Sequence, residues 1–341
     1  MRKITYCEAI NESLTSQMRK NKNVIVYGVE DKVFGSTNGL LEKFGEKRFF
    51  YTPISEDLLT GMSLGMSLAG KVPVLNHIRV DFMLIGMNQI LNMISSYCFG
   101  SNGKQNLPIL IRAVIGRGWG QGYQHSKSLQ SIFAHIPGLK VIMPSTPYDI
   151  KGMINTALEG NSPVICLEHR WLYWQKGNVP KKQYKISLDK SRVLRKGKDV
   201  TIISTSWMSV EACQAADYLK KFGIDCEVID TRSLSPLDVN AFVKSVLKTK
   251  RCIVADYDWL PYGVSAEISE KVYEKTFRVL KNPIKRIGFK FSPCPTSRKL
   301  ENKFYPNAKD LIIQVGKLFN KKIDLQNLDL YSHERKFFGP F

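Results

Sequence analysis

The sequence predicts an α/β protein built of two parallel-sheet domains. Short β-branched runs recur with helical periods between them, the pattern of βα units. A polar stretch, "WQKGNVPKKQYKISLDKSRVLRKGKD" at 174–199, divides these units into two series. With 341 residues, 43% of them hydrophobic, the chain has the length for about two domains of ~150 residues and can bury a sizeable core.

In the first series the expected strands are "VIVYG" (24–28), "PVLNHI" (73–78), "PILIRAV" (108–114), "LKVIMP" (139–144) and "PVICLEH" (163–169). Helical periods fit 6–20, 58–69, 83–98 and 147–159, the last opened by Ser145-Thr146-Pro147 as a cap and first turn. In the second series "DVTIIST" (199–205), "CEVIDTRSL" (226–234), "RCIVADY" (251–257) and "IKRIGF" (284–289) read as strands. Helices are expected at 208–222, 238–249, 264–280 and 308–319. These elements set a first domain over 1–180, a linker over 181–198, a second domain over 199–320 and a tail over 321–341.

The net charge of +20 raises the possibility of nucleic-acid binding, but the basic residues come in pairs or short sets, with no block of five or six. A solvated, lysine-rich surface or an acidic protein partner fits that pattern better, and no nucleic-acid partner is expected. The most apolar helical stretch, "FMLIGMNQILNMI", is interrupted by Asn88, Gln89 and Asn92, and the N-terminus lacks an unbroken apolar run. The expectation is a cytoplasmic chain with no membrane span. Seven scattered cysteines, never spaced C-x-x-C, read as reduced thiols.

Two side chains stand out as candidates for chemistry. Glu56, in "YTPISEDLLTGMSLG", lies at a helix start behind Ser55, where a carboxylate meets the positive end of the helix dipole. Packed among Ile54, Leu58 and Phe82 at a sheet edge, it would also be desolvated and ready to share a proton with a ligand nitrogen. His125 follows "GRGWGQG" (116–122), a glycine-rich segment that lacks the strand and helix context of a dinucleotide-binding turn. That segment reads as a flexible loop bringing an imidazole to the end of a strand, a position suited to acid–base work. The phosphate-binding pattern G-x-x-x-x-G-K-[ST] is missing.

The run "TPISE…GMSLGMSLAGKVPV", then "DF…NQILN", then "QHSKSLQSIFAHIPGLKVIMPSTPYDIKGMINTAL…SPVICLEHRWLY", resembles the beta subunits of thiamine-diphosphate-dependent 2-oxo acid dehydrogenases, pyruvate and branched-chain type. "DVTIISTSWMSVEACQAADYL", "CEVIDTRSLSPLD" and "CPTSRKLENKFYP" continue the likeness, which spans about residues 2–318. It implies a transketolase-like pyrimidine-binding domain followed by a transketolase C-terminal domain that serves assembly. It also implies thiamine diphosphate shared with an alpha subunit, which binds the diphosphate and Mg²⁺ through a Gly-Asp-Gly motif that this chain lacks. On the matching positions, Glu56 would hydrogen-bond the pyrimidine N1′ and favour the imino form that removes the thiazolium proton. Phe82 would stack on the pyrimidine, Ile54 would line its pocket and His125 would stand at the channel mouth. A K⁺ ion would be held by backbone carbonyls near Ile109, Ala157 and Gly160.

The resemblance implies an oxidoreductase subunit in an α₂β₂ heterotetramer, acting on a 2-oxo acid and passing the acyl group to an acceptor such as a lipoyl acyltransferase core. Departures cluster near the pocket: Asn76 and His77 follow the strand where an acidic residue is usual, Asn88 replaces Asp, and Lys127 replaces Gln. They leave two alternatives open. One is a two-chain transketolase-like or acyloin-forming biosynthetic enzyme; the other is a non-catalytic assembly or nucleic-acid-binding protein on this fold.

Overall fold

The computed structural model describes residues 1–29, 35–116, 120–326 and 328. In chain order the elements begin with β1 (Arg2–Thr5), α1 (Tyr6–Lys20), β2 (Val24–Gly28), α2 (Leu40–Phe44), β3 (Phe49–Tyr51), α3 (Glu56–Leu68) and β4 (Val72–His77). There follow α4 (Val80–Met83), α5 (Ser95–Gly100), β5 (Leu110–Ile115), α6 (Gln130–Ala134), β6 (Lys140–Ile142), α7 (Pro147–Leu158), β7 (Val164–His169) and β8 (Lys176–Val179). The remainder comprises β9 (Arg192–Arg195), β10 (Val200–Ser204), α8 (Trp207–Lys220), β11 (Cys226–Asp230), β12 (Ser233–Ser235), α9 (Val239–Thr249), β13 (Cys252–Trp259), α10 (Val264–Thr276), β14 (Lys285–Phe289), α11 (Arg298–Phe304) and α12 (Ala308–Leu318).

Two compact units divide the chain. The first holds Met1–Arg117, Lys127–Leu188 and Leu234–Pro236; the second holds Gly118–Ser126, Asp189–Ser233 and Leu237–Phe341.

The first unit is built on a seven-stranded sheet of order β12-β6-β7-β5-β4-β2-β3, with parallel pairing across β6-β7-β5-β4-β2-β3. Strands β4, β5 and β7 are buried along their whole lengths, which is why they read as continuous apolar runs. Helix α1 starts with a capping box, Glu8 N donating to Thr5 Oγ1 (3.1 Å) and Thr5 N to Glu8 Oε2 (2.7 Å), and packs on α7. The Thr146 cap expected for α7 is present, with Pro147 in the first turn.

The second unit has a five-stranded sheet of order β14-β13-β10-β11-β9. Its pairings are parallel except for β9, which runs antiparallel to β11 at the edge.

Four expectations need correction. The helix expected over 83–98 is broken into α4, a tight turn at Leu84–Gly86, a wide π-helical turn at Gln89–Ile94 and α5. Gly86 lies where a Cβ would stand 2.6 Å from Thr60 Oγ1, so the segment bends to fit against α3. The strand expected over 226–234 ends at Asp230; Arg232 has φ +55°, and the chain turns there to make β12 in the other sheet. The segment 181–198, expected as a linker, is built into the fold, because Tyr184 and Ile186 pack over Gly152 of α7 and 192–195 form β9. Asn155 Nδ2 donates to the Tyr184 carbonyl there (2.9 Å). Finally, β1, β8, α2, β3, α6 and α11 were not expected. The tail over 321–341 lies outside the described residues from 329 onward.

None of the seven cysteines is in a disulfide, and Cys98 and Cys213 are partly exposed. Among the described residues no helix is long and apolar enough to cross a membrane.

Candidate active site

Glu56 is the first residue of α3 and only 8% exposed. Its backbone is fixed from below, since the Thr60 hydroxyl donates to the Glu56 carbonyl (2.6 Å) and lies 3.2 Å from Nε2 of His77 at the end of β4. One turn on, the Tyr27 hydroxyl from β2 donates to the Leu59 carbonyl (2.9 Å). The expected cap is absent: Ser55 Oγ turns back to its neighbour, donating to the Ile54 carbonyl at 2.7 Å. Among the described residues the Glu56 carboxylate has no hydrogen-bond or ion-pair partner. A carboxylate at so buried a position, with no partner of its own, is left open to a group from outside the chain.

The enclosure expected around Glu56 is only partly found. Phe82, in α4, is half-buried, and α4 packs on α3. Ile54 and Leu58 are 75% and 66% exposed, because they flank the helix start on its outer side. Ile85, in the tight turn after α4, is also exposed, at 62%.

Polar groups line the strand ends around this helix. His77 is buried, and that burial pushes its imidazole down to about 4. Asn76 accepts from Arg112 Nη1 (2.9 Å), and Arg112 makes a bidentate pair with Glu168, Nε to Oε1 at 2.6 Å and Nη2 to Oε2 at 2.9 Å. The Tyr173 hydroxyl donates to Glu168 Oε2 (2.7 Å). Asp81 accepts from Arg79 Nε (3.4 Å) and from both the backbone and side-chain nitrogens of Lys127 (3.3 Å each). Arg79 also donates to the Gly116 carbonyl. Burial and the Arg79 charge pull the Arg170 guanidinium down to about 9.

The Arg112–Glu168 pair was not anticipated. Its signal was present in "PILIRAV" and "PVICLEH", two apolar strands with one opposite charge each.

His125 sits on the return path of the glycine loop. The chain leaves β5 at Gly116 and comes back at Lys127, whose carbonyl accepts from Gly116 N (3.1 Å). Of that loop, 117–119 lie outside the described residues. His125 is half-buried and follows a 3₁₀ turn at Gly122–Gln124. It belongs to the second unit, whereas Glu56 and Phe82 belong to the first.

The three residues expected to offer carbonyls to a cation all belong to the first unit. Ala157 ends α7 and Gly160 follows it; Leu107 N donates to the Asn161 carbonyl (3.0 Å) and Val164 N to that of Ile109 (2.8 Å). The Ala157 carbonyl accepts from both Glu159 N and Gly160 N (3.3 Å), whereas the Ile109 carbonyl, accepting from Val164 N, retains a second lone pair. Among the described residues no group of three or more His, Cys, Asp or Glu side chains could hold a metal.

Comparison with known proteins agrees with this arrangement. Residues 2–175 match the family described as Transketolase, pyrimidine binding domain, and residues 189–311 match Transketolase, C-terminal domain. The beta subunit of acetoin:2,6-dichlorophenolindophenol oxidoreductase of Cupriavidus necator is 36% identical over 324 residues, 91% of this chain and 96% of that protein. The pyruvate dehydrogenase E1 component subunit beta of Staphylococcus epidermidis is 36% identical over 319 residues, 92% of this chain and 98% of that one. The chain belongs to the family of 2-oxo acid dehydrogenase beta subunits.

The mitochondrial pyruvate dehydrogenase E1 subunit beta of Bos taurus, at 32% identity over 326 residues, extends the family match across 93% of this chain and 91% of the bovine one. A solved structure described as a split gene transketolase, inactive beta4 tetramer, has a TM-score of 0.75 and covers 94% of this chain and 99% of its own. At 24% identity that likeness is one of fold. As a dehydrogenase beta subunit the chain is an oxidoreductase component. Three of the residues expected to depart from the family pattern have local partners: Asn76 has Arg112, His77 has Thr60 and Lys127 has Asp81.

Proposed function

We propose that this chain supplies the pyrimidine-binding half of a thiamine-diphosphate site and works only with an alpha subunit. The observation that carries the reading is Glu56, buried at a helix start with its carboxylate left without a partner among the described residues. Such a carboxylate fits a protonated ring nitrogen, and half-buried Phe82 beside it fits a flat heteroaromatic ring. Bound thiamine diphosphate supplies the electron sink at which a 2-oxo acid loses carbon dioxide.

In this reading Glu56 holds and returns one proton at the pyrimidine N1′, and Phe82 orients the ring. The exposed side chain of Ile54 completes the pocket once the second polypeptide covers it. His125 moves a proton at the channel mouth or positions the acyl acceptor. The alpha chain brings Mg²⁺ and the diphosphate contacts, since this sequence has no Gly-Asp-Gly. K⁺ would sit at the carbonyls of Ile109, Ala157 and Gly160. The assembly is an α₂β₂ heterotetramer in the cytoplasm that passes its acyl group to a lipoyl acyltransferase core.

A second reading, an acyloin-forming or transketolase-like enzyme, is favoured by the match of both domains to the transketolase pyrimidine-binding and C-terminal families. One experiment separates the two. The purified alpha–beta pair is supplied with thiamine diphosphate, Mg²⁺ and a panel of 2-oxo acids, either with 2,6-dichlorophenolindophenol or with an aldehyde acceptor. Dye reduction coupled to decarboxylation supports the dehydrogenase; a carbon–carbon bonded product without dye reduction overturns it in favour of the second reading.

A further inference from the structure

The glycine loop is held on both sides of His125 by one element of the second unit. Upstream, Gly122 has φ +67°, and a Cβ there would stand 2.6 Å from Thr296 Oγ1. Gly120, also at positive φ, approaches the Thr296 carbonyl at 3.4 Å by the same measure. Downstream, the Tyr305 hydroxyl donates to the carbonyl of Ser126, the residue after His125, at 2.8 Å. Both residues are buried, Tyr305 at 2% exposure and Ser126 at 1%. Thr296 stands just before α11 and Tyr305 just after it, and each approaches one side of the loop.

Tyr305 is itself firmly placed. Its ring stacks on Tyr257 at 5.5 Å and meets Phe289 and Phe304 edge-on at 5.0 Å each. Its backbone nitrogen donates to the Glu301 carbonyl (3.2 Å), and Cys294 Sγ approaches its hydroxyl at 3.6 Å. A phenol fixed by three rings offers its proton in one direction, and that direction is the peptide carbonyl joining Ser126 to Lys127. The carbonyl lies one residue beyond the imidazole, so its position sets the backbone from which His125 projects.

We propose that Tyr305 is a positioning residue for His125: by holding the Ser126 carbonyl it fixes the loop that carries the imidazole. The proposal rests on the acid–base reading of His125. It assigns work to a hydroxyl that the packing of the core does not need, because Tyr305→Phe keeps the ring and all three aromatic contacts.

The test uses the beta chain assembled with its alpha partner, assayed with whichever 2-oxo acid turns over fastest with 2,6-dichlorophenolindophenol. Tyr305→Phe is expected to lower kcat about tenfold with KM unchanged, because a displaced proton-transfer group loses rate rather than binding. Amide hydrogen exchange over 120–126 should rise about fivefold, the effect of losing one buried hydrogen bond. In a His125→Gln background the same substitution should cost nothing further.

If exchange in the loop is unchanged by Tyr305→Phe, or if its loss of kcat persists undiminished beside His125→Gln, the proposal is overturned while the reading of His125 stands. Full turnover in His125→Gln alone sinks that reading, and the proposal with it.

Discussion

The Thr60 hydroxyl stands 3.2 Å from Nε2 of His77, joining the helix that begins with Glu56 to the end of a buried strand. Thr60 has one proton, and it goes to the Glu56 carbonyl at 2.6 Å. The bond to His77 is therefore donated by the imidazole, which fixes the tautomer with hydrogen on Nε2.

The first prediction concerns pH. The His77 imidazole falls from 6.5 to about 4 in the fold because burial penalises its charged form. Between those values the unfolded chain binds a proton that the folded chain refuses. Stability is therefore full above about pH 6.5 and declines as pH falls toward 4, by about 3 kcal/mol in all. Urea unfolding at about pH 7.5 and about pH 5 should show the decline in the parent and a smaller one in His77→Gln.

Glu56→Gln should lower turnover of the assembled enzyme at least about a hundredfold, since it removes the proton-accepting carboxylate and keeps its shape. The neighbouring Asp57 is exposed and, among the described residues, accepts only from Gln89 Nε2 at 3.3 Å, so Asp57→Asn should stay within about twofold. Steady-state rates of both variants decide the matter, and equal rates would remove Glu56 from the proton relay.

Breaking the Arg112–Glu168 pair should be costly. Both side chains are at least nine-tenths buried, and Glu168→Ala leaves a buried guanidinium without its bidentate partner. The expected loss is about 3–5 kcal/mol, and replacing both residues with apolar ones should recover part of it. Denaturant midpoints of the single and double variants provide the comparison.

Two glycines at positive φ should respond differently to alanine. At Gly28 a Cβ would lie 2.3 Å from the Asn76 carbonyl oxygen, a backbone atom that cannot step aside. At Gly45, with φ +73°, nothing stands within 4 Å. Gly45→Ala should cost about 1 kcal/mol from backbone strain alone, whereas Gly28→Ala should cost about 3 kcal/mol or more. Thermal melts would rank them.

Much of the fold was legible because buried parallel strands write themselves as unbroken apolar runs. β2, β4, β5 and β7 fall within one or two residues of expectation at most ends. Short elements carried by polar or aromatic residues were not legible: β9 in "RVLR" and β3 in "FFY" become strands only because a neighbouring strand satisfies their backbone. The break between 83 and 98 could not be read either, since its cause is the close approach of Gly86 to Thr60, 26 residues earlier. At the site, Glu56 stood out as a carboxylate in an apolar setting. The roles of Thr60 and His77 did not, because a buried hydrogen-bond chain leaves no spacing in the sequence. The family likeness, rather than any local pattern, is what joined Glu56 to His125.

The two edges of the five-stranded sheet carry the same sign of charge. One edge strand, β9, reads Arg-Val-Leu-Arg, and the other, β14, begins Lys-Arg. An open edge offers unpaired backbone groups to any other chain in crowded solution, and like charges there oppose zippering of one molecule onto the next. On β9, however, Arg195 is tied to Asp217 (3.2 Å) and Asp225 (3.0 Å), so the charge left to oppose such pairing lies mainly on the Lys285-Arg286 edge.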